Sequence, residues 1–403
     1  MTEYDIKLNT NTLSNLLTDS NGLAQLLEPI LNQVLQAQAS EQLNAERYER
    51  SQDRAAYRNG NRPRTLYTRV GPLTLQVPQF RDGRFNTDIF KRYQRSEQAL
   101  VLSLMEMYVN GVSTRKVTKI TEQLCGARFS RSTVSDLCVE LDARVSAFNE
   151  RKLDESYPFI IVDCMFFKAR EDEAIESKAC MIACGINATG EREILGVRIG
   201  DSESESFWKE TFDWLKARGL KGVRLVVSDQ HKGLVNAARR CFNGSSWQRC
   251  QVHLMRNVLS YTPSKYKAQM TQGLRRIFKS DTARDARGRF DELAEQLEGK
   301  AVKALECLEN GLEDALTVMM LPEKYRTRLR TSNMIERLNE EVRRRERVVR
   351  IFPNTTSALR LIGAVLTEIH EQWQTRKYFD MTEYHQWELD RKTQTADNIT
   401  SIN

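Results

Sequence analysis

The 403-residue chain is 40% hydrophobic and 29% charged, with a net charge of +7. That length and apolar content suffice for two or three domains with buried cores, and a basic excess points to a polyanionic partner, most often nucleic acid. No apolar run approaches the roughly 20 residues of a membrane span, and the polar start MTEYDIKLNTNTL has no signal-peptide core, so the sequence predicts a cytosolic protein whose eight cysteines are reduced.

Residues 1–46 are weakly amphipathic around LAQLLEPILNQVLQAQASEQL and predict a packing or oligomerisation helix. Residues 47–95 predict a basic loop followed by a small hairpin. Between 47 and 69 there are seven arginines against two acids, a net of +5, and Asn59-Gly60 and Pro63 argue for loop. TLYTRVGPLTLQVPQF then alternates apolar and polar residues around a Gly71-Pro72 turn. Arg58 and Arg62 in the loop are candidate contacts to DNA phosphates; a solvated charged loop accounts for the same pattern.

Residues 96–150 read as helical with two breaks. Gly111 precedes Ser113 as a helix cap, and Gly126 precedes Ser130 as another. Three short helices in this order resemble a helix-turn-helix, with Arg131, Ser132, Thr133 and Ser135 facing a groove. Any helical bundle turns on Gly and Ser in the same way.

From residue 151 the pattern changes. YPFIIVDCMFF, KACMIACGI and REILGVRI predict three strands joined by short turns, hence antiparallel. SESFWKETFDWLKARG, GVRLVVSD, KGLVNAARRCF, WQRCQVH and LMRNVLSY then alternate helix, strand, helix, strand and helix, which predicts parallel neighbours. The expected fold class is α/β, a mixed sheet with helices on its faces, the arrangement of an RNase H-like core. Residues 151–254 would form its first part. Residues 255–328 hold no strong strand and predict an all-helical insertion. Residues 329–375 would complete the core, leaving 376–403 as a C-terminal tail.

Three carboxylates draw the chemistry. Asp163 lies inside the apolar strand FIIVDCMFF, where an uncompensated charge costs several kcal/mol. Asp229 ends the strand RLVVSD, a position that a turn-forming Asp also fills. Glu336 falls early in a long helix capped by Ser332 or Asn333; Glu340, Glu341 and Glu346 compete with it, and periodicity does not choose among them. Three carboxylates from two strands and a helix can hold two Mg²⁺ ions, with Mn²⁺ as a substitute, roughly 3.5–4 Å apart for phosphodiester chemistry. No Walker-type glycine loop is present, so use of a nucleoside triphosphate is not indicated.

Residues 328–350 carry eight Arg and four Glu. On a helix Arg337, Arg344 and Arg347 share one face, with Arg343 and Arg350 close by. They read as a phosphate-gripping surface, or as an exposed helix laced with ion pairs. Cys250 and His253 form a Cys-x-x-His. With four histidines in the chain and no second such pair, a four-ligand structural zinc finger is not expected; a buried Cys beside a bonded His is the plain alternative. His231, two residues past Asp229, could meet a phosphate.

SDQHKGL, RCQVHLMRN and RTSNMIERLNEEVRRRERVVRIFPN closely resemble the Mutator-type transposases of bacterial insertion sequences, members of the DDE superfamily. VDCMFFK matches the family's first-Asp strand, and YVNGVSTRKV and FSRSTVS its N-terminal helical region. The likeness spans about residues 40–375, and the carboxylate spacings of 66 and 107 residues fit it. It implies a metal-binding triad of Asp163, Asp229 and Glu336, choosing Glu336 over its neighbours, and a Cys250–His253 pair that shapes the active site. It further implies binding of terminal inverted repeats, strand transfer, a homodimer bridging two ends, and a bacterial, nucleoid-associated cytoplasmic protein.

Overall fold

The computed structural model describes residues 6–7, 16, 22–50, 52–91, 96–125, 129, 134, 138–374 and 376–400. It divides into two compact units, Met1–Glu140 and Leu141–Asn403.

In the first unit, helix α1 (Gly22–Leu43) packs on a hairpin of β1 (Arg58–Thr68) and β2 (Gly71–Phe80). Leu35, Leu66, Leu73 and Leu75 fill the interface. The helix also satisfies the hairpin's open edge: Glu28 accepts from the Thr74 amide at 2.8 Å and Asn32 from the Gln76 amide at 2.7 Å. The Asn59-Gly60 loop expected from the sequence is instead the start of β1. A register shift between Arg58 and Asn61 forms a bulge, and Gly60 takes φ +79° there. The turn falls at Arg69-Val70, two residues earlier than Gly71-Pro72, which begins β2. Helices α2 (Gln98–Val109) and α3 (Thr114–Cys125) follow. As expected, the Ser113 hydroxyl accepts from the Lys116 amide, at 3.4 Å. The candidate groove residues Arg131, Ser132, Thr133 and Ser135, and the Ser130 cap, lie outside the described residues.

The second unit is α/β. After α4 (Glu140–Glu150) come β3 (Phe159–Glu171), β4 (Ala174–Ile186) and β5 (Arg192–Gly200), an antiparallel meander whose strands each carry a run of consecutive buried residues. Helix α5 (Glu205–Ala217), β6 (Leu225–Ser228), α6 (Lys232–Cys241) and β7 (Ser246–Arg249) add two parallel strands on the other side of β3. The mixed sheet runs β5-β4-β3-β6-β7, as the order of apolar runs and helices predicts. Trp208, Phe212, Leu215 and Leu234 cover one face.

Six helices carry the chain back to the sheet's edge and across it: α7 (Gln251–Tyr261), α8 (Lys267–Phe278), α9 (Ala283–Gln296), α10 (Val302–Leu316), α11 (Glu323–Leu329) and α12 (Asn333–Val349). The first four enclose an apolar core that includes Leu254, Met270, Leu274, Leu293 and Leu308. Helix α13 (Thr355–Trp373) lies along β5, and α14 (Thr382–Thr400) follows. The segment expected as a tail is thus largely helical: Phe379 and Tyr384 pack with Tyr325 against Phe159 at the start of β3. No described helix is long and apolar enough to cross a membrane, and Cys138, Cys164, Cys180, Cys184, Cys241, Cys250 and Cys307 are free thiols.

Candidate active site

Strand register assembles the first half of the site. Strands β3 and β6 pair in parallel with Phe159 opposite Leu225 and Ile161 opposite Val227. That offset of 66 is also the spacing of Asp163 and Asp229, so continuing the register sets the two aspartates side by side just past the end of β6. The β6–β7 register pairs Ser228 with Arg249, which brings Cys250 into the same row; its amide donates to the Ser228 carbonyl at 2.7 Å. The row lies where parallel strands end, the place at which open α/β sheets expose a crevice.

Helix α12 supplies the second half. The Ser332 hydroxyl does not cap it, as the sequence suggested; it lies 3.3 Å from Cys250 Sγ, and the Ser332 amide lies 3.4 Å from the same sulfur. This clamp draws the start of α12 over the row. Glu336 follows one turn in, with Oε1 3.8 Å from His253 Nε2 and Oε2 3.5 Å from an Arg256 guanidinium nitrogen. One further turn along the same face, Asn339 donates to Asp163 Oδ2 at 2.7 Å.

The charges are poorly compensated. Burial, and then the charge of Asp229, push Asp163 up to about 6. Glu336 Oε1 is shut off from solvent without a hydrogen bond. Hard oxygen donors with uncancelled negative charge suit a divalent cation such as Mg²⁺ or Mn²⁺, so the residues fit the metal that the resemblance implies. Burial alone would raise the Cys250 thiol, but hydrogen bonding from His253 and Ser332 outweighs it and the thiol falls below its ordinary value. His253 moves the other way, raised by the thiol against its own burial. Its Nδ1 is shut off from solvent. The ligand atoms of Cys250, His253 and Glu336 lie within 4.8 Å of one another; the Asp163, Asp229 and Glu336 set is not gathered that tightly.

Two neighbours escaped the sequence reading. Asn339 was visible only as the residue three after Glu336. Glu203 sits in SESES and looks like a turn. It is 12% exposed, accepts from Trp208 Nε1 at 3.1 Å and lies 3.4 Å from His231 Nδ1. Burial and then Asp229 push it up to about 7. Thus His231 turns toward a carboxylate.

The arginines divide. Arg343, Arg347 and Arg350 line an open groove of about 510 Å³ with Lys168, Phe166, Phe167, Ser177 and Glu346. Arg337 is exposed. Arg344 lies 3.1 Å from Glu341, which also holds the buried Arg345. In the first unit, Arg62 is exposed, whereas Arg58 is half-buried and donates to Ser40 at 2.8 Å and Gln36 at 3.3 Å. Arg58 borders a cavity of about 710 Å³ with Arg47, Arg50, Arg54 and Arg81.

Comparison with known proteins places this geometry in context. Residues 1–376 match the model of the family described as Transposase, Mutator family. The chain is 46% identical over 362 residues to a Staphylococcus aureus transposase for insertion sequence element IS256 in transposon Tn4001, covering 88% of this chain and 92% of that relative. It is 44% identical over 367 residues to a Rhizobium meliloti transposase for ISRM5, covering 91% and 92%. Against a Mycobacterium tuberculosis transposase for IS1081 the identity is 36% over 362 residues, covering 89% and 87%.

Proposed function

The chain belongs to the Mutator family of transposases, and on that premise we propose that it is a DDE-type DNA transposase with an RNase H-like core. It binds the inverted-repeat ends of its element, hydrolyses a phosphodiester to free a 3′-OH, and directs that 3′-OH at a second phosphodiester. The second step exchanges one phosphodiester for another, so no nucleotide cofactor is needed. The observation that carries the reading is the alignment of Asp163 and Asp229 by strand register, with α12 held over them by the Asn339–Asp163 hydrogen bond.

Asp163, Asp229 and Glu336 would hold two Mg²⁺ ions, which, when bound, activate water or the 3′-OH and stabilise the leaving oxygen. The protein's part is placement. Asn339 fixes the Asp163 carboxylate, and the Cys250–Ser332 clamp fixes the entry of α12. Arg256 faces the Glu336 carboxylate and can reach a phosphate in its place. Arg343, Arg347, Arg350 and Lys168 offer a basic groove for the strand. We assign residues 255–328 as a helical insertion in the core, the first unit as the DNA-end reader through its basic cavity and helices, and a homodimer as the form that bridges two ends.

The test is incubation of the protein with DNA ends from its own locus in Mg²⁺ or Mn²⁺, with strands resolved as nicked or joined. Nicked and joined strands that require metal support the reading. Nicking without joining would reduce the protein to a nuclease, and end-specific binding without cleavage in either metal would reduce it to a DNA-binding protein.

A further inference from the structure

We propose that Cys250, His253 and Glu336 form a binding site for one thiophilic divalent cation, Zn²⁺ in particular, and that occupation of this site takes Glu336 away from the oxygen donors Asp163 and Asp229. Three parts of the fold converge on it. Cys250 joins the end of β7 to α7, His253 lies three residues on in the first turn of α7, and Glu336 arrives on α12.

The three ligand atoms already lie within 4.8 Å of one another, and His253 Nε2 is 3.8 Å from Glu336 Oε1. Zinc bound at about 2.3 Å from sulfur and about 2.0–2.1 Å from nitrogen or oxygen sets tetrahedral ligands roughly 3.3–3.7 Å apart.

One of the three residues also lacks a partner where the cation would sit: Glu336 Oε1, the oxygen that faces His253 Nε2, is inaccessible to solvent and makes no hydrogen bond. A desolvated polar atom without a partner costs about 1–3 kcal/mol, and a cation shared between these side chains removes part of that cost. Ser332 supports the sulfur from the other side, at 3.3 Å, as outer partners of metal ligands do.

Ligand chemistry separates this site from the one beside it. Aspartate oxygens favour Mg²⁺ and Mn²⁺; a thiol with an imidazole favours Zn²⁺ and its neighbours in the transition series. Glu336 belongs to both sets, so the two sites compete for one carboxylate. Three protein ligands leave a fourth position open for water, the pattern of an exchangeable zinc rather than of a closed structural one. Binding releases the Cys250 thiol proton, so affinity rises with pH.

The binding arm is independent of the transposase reading, because it needs no DNA. The full chain is titrated with Zn²⁺ against a chromophoric chelator, in excess Mg²⁺, and separately with Co²⁺ followed by absorption. One tight equivalent is expected, with a thiolate-to-cobalt charge-transfer band and the intense visible bands of a four-coordinate ion. Cys250→Ser should abolish the charge-transfer band. Cys250→Ser, His253→Gln and Glu336→Gln should each weaken binding by at least about tenfold, since even outer partners of ligands cost that much; Asp163→Asn should not. Circular dichroism of each variant separates lost ligation from lost fold. Should Cys250→Ser fail to fold, His253→Gln and Glu336→Gln decide. Absence of a stoichiometric site, a cobalt spectrum without a thiolate band, or undiminished affinity in the folded variants would overturn the proposal. A second arm rests on the transposase reading: micromolar Zn²⁺ should suppress Mg²⁺-dependent cleavage, and a chelator should restore it. Zinc bound as above without inhibition would remove the competition for Glu336 and leave the site.

Discussion

Replacing Asp163 by Asn should stabilise the metal-free protein, and only above the acid range. The wild-type carboxyl moves from an ordinary 3.8 to about 6, first through burial and then through Asp229. A raised carboxyl value means that the folded state holds the proton more tightly than the unfolded chain. Ionisation therefore costs folding free energy: nothing below about pH 4, where both states are protonated, and the full amount above about pH 6. The gap of about two pH units corresponds to about 3 kcal/mol, and partial access of solvent to the strand end brings this nearer 2 kcal/mol. Asn removes the charge, keeps the shape, and still offers an oxygen to Asn339. At pH 8 with EDTA, thermal denaturation should show the variant roughly 4–8 °C more stable. At pH 4 the two melting curves should coincide. Adding Mg²⁺ should stabilise the wild type more and narrow the difference. A variant less stable at pH 8, or a gain of equal size at pH 4 and pH 8, would show that Asp163 is not a strained charge and would undo the electrostatic picture of the site.

Asn339→Ala should release the Asp163 carboxylate and lower cleavage by about tenfold or more, while a denaturation curve moves by no more than about 1–2 kcal/mol; an undiminished cleavage rate would make the Asn339 contact incidental. Gly190 has φ +91°, and a Cβ there would lie 1.9 Å from the Phe379 carbonyl oxygen; the Tyr378 and Phe379 amides both donate to the Gly190 carbonyl, at 2.8 and 2.9 Å. Gly190→Ala should cost more than about 2 kcal/mol and expose the segment before α14 to protease, and a protease pattern like that of the wild type would contradict this. Arg343→Ala, Arg347→Ala and Arg350→Ala together should reduce the slope of log K against log salt for DNA binding by about 2–3, at roughly 0.7–0.9 per phosphate contact; an unchanged slope would remove the groove from the DNA path.

The sheet was legible because β3 to β6 hold apolar runs separated either by short turns or by helices, and these two connections alone distinguish antiparallel from parallel neighbours. Asp163 was legible for a related reason: a charge inside FIIVDCMFF has no structural excuse. What could not be read was which polar groups turn toward one another once the strands align. Asn339 and Glu203 face partners, Asp163 and His231, that are 176 and 28 residues away in sequence, and no local period encodes such pairs. Ser332 looked like a helix cap because Ser usually is one; a buried sulfur outcompeted the helix amides for its hydroxyl. The bonds from Arg58 to Ser40 and Gln36 were equally hidden, because charge density is visible in sequence and the hydrogen bonds that occupy a guanidinium are not.

In the proposed transposase Glu336, and not another acid on α12, completes the carboxylate set with Asp163 and Asp229. Glu340 is exposed and Glu341 is tied to Arg344 and Arg345, so the three acids can be compared on one helix. The most direct measurement is single-turnover cleavage of end DNA in Mg²⁺ by wild type, Glu336→Gln, Glu340→Gln and Glu341→Gln, each first shown to bind the ends. Glu336→Gln alone should lose cleavage, by about a thousandfold or more, in keeping with the several kcal/mol a metal ion contributes to phosphoryl chemistry. Cleavage by Glu336→Gln at a rate near that of wild type, or a loss confined to Glu340→Gln or Glu341→Gln, would contradict it.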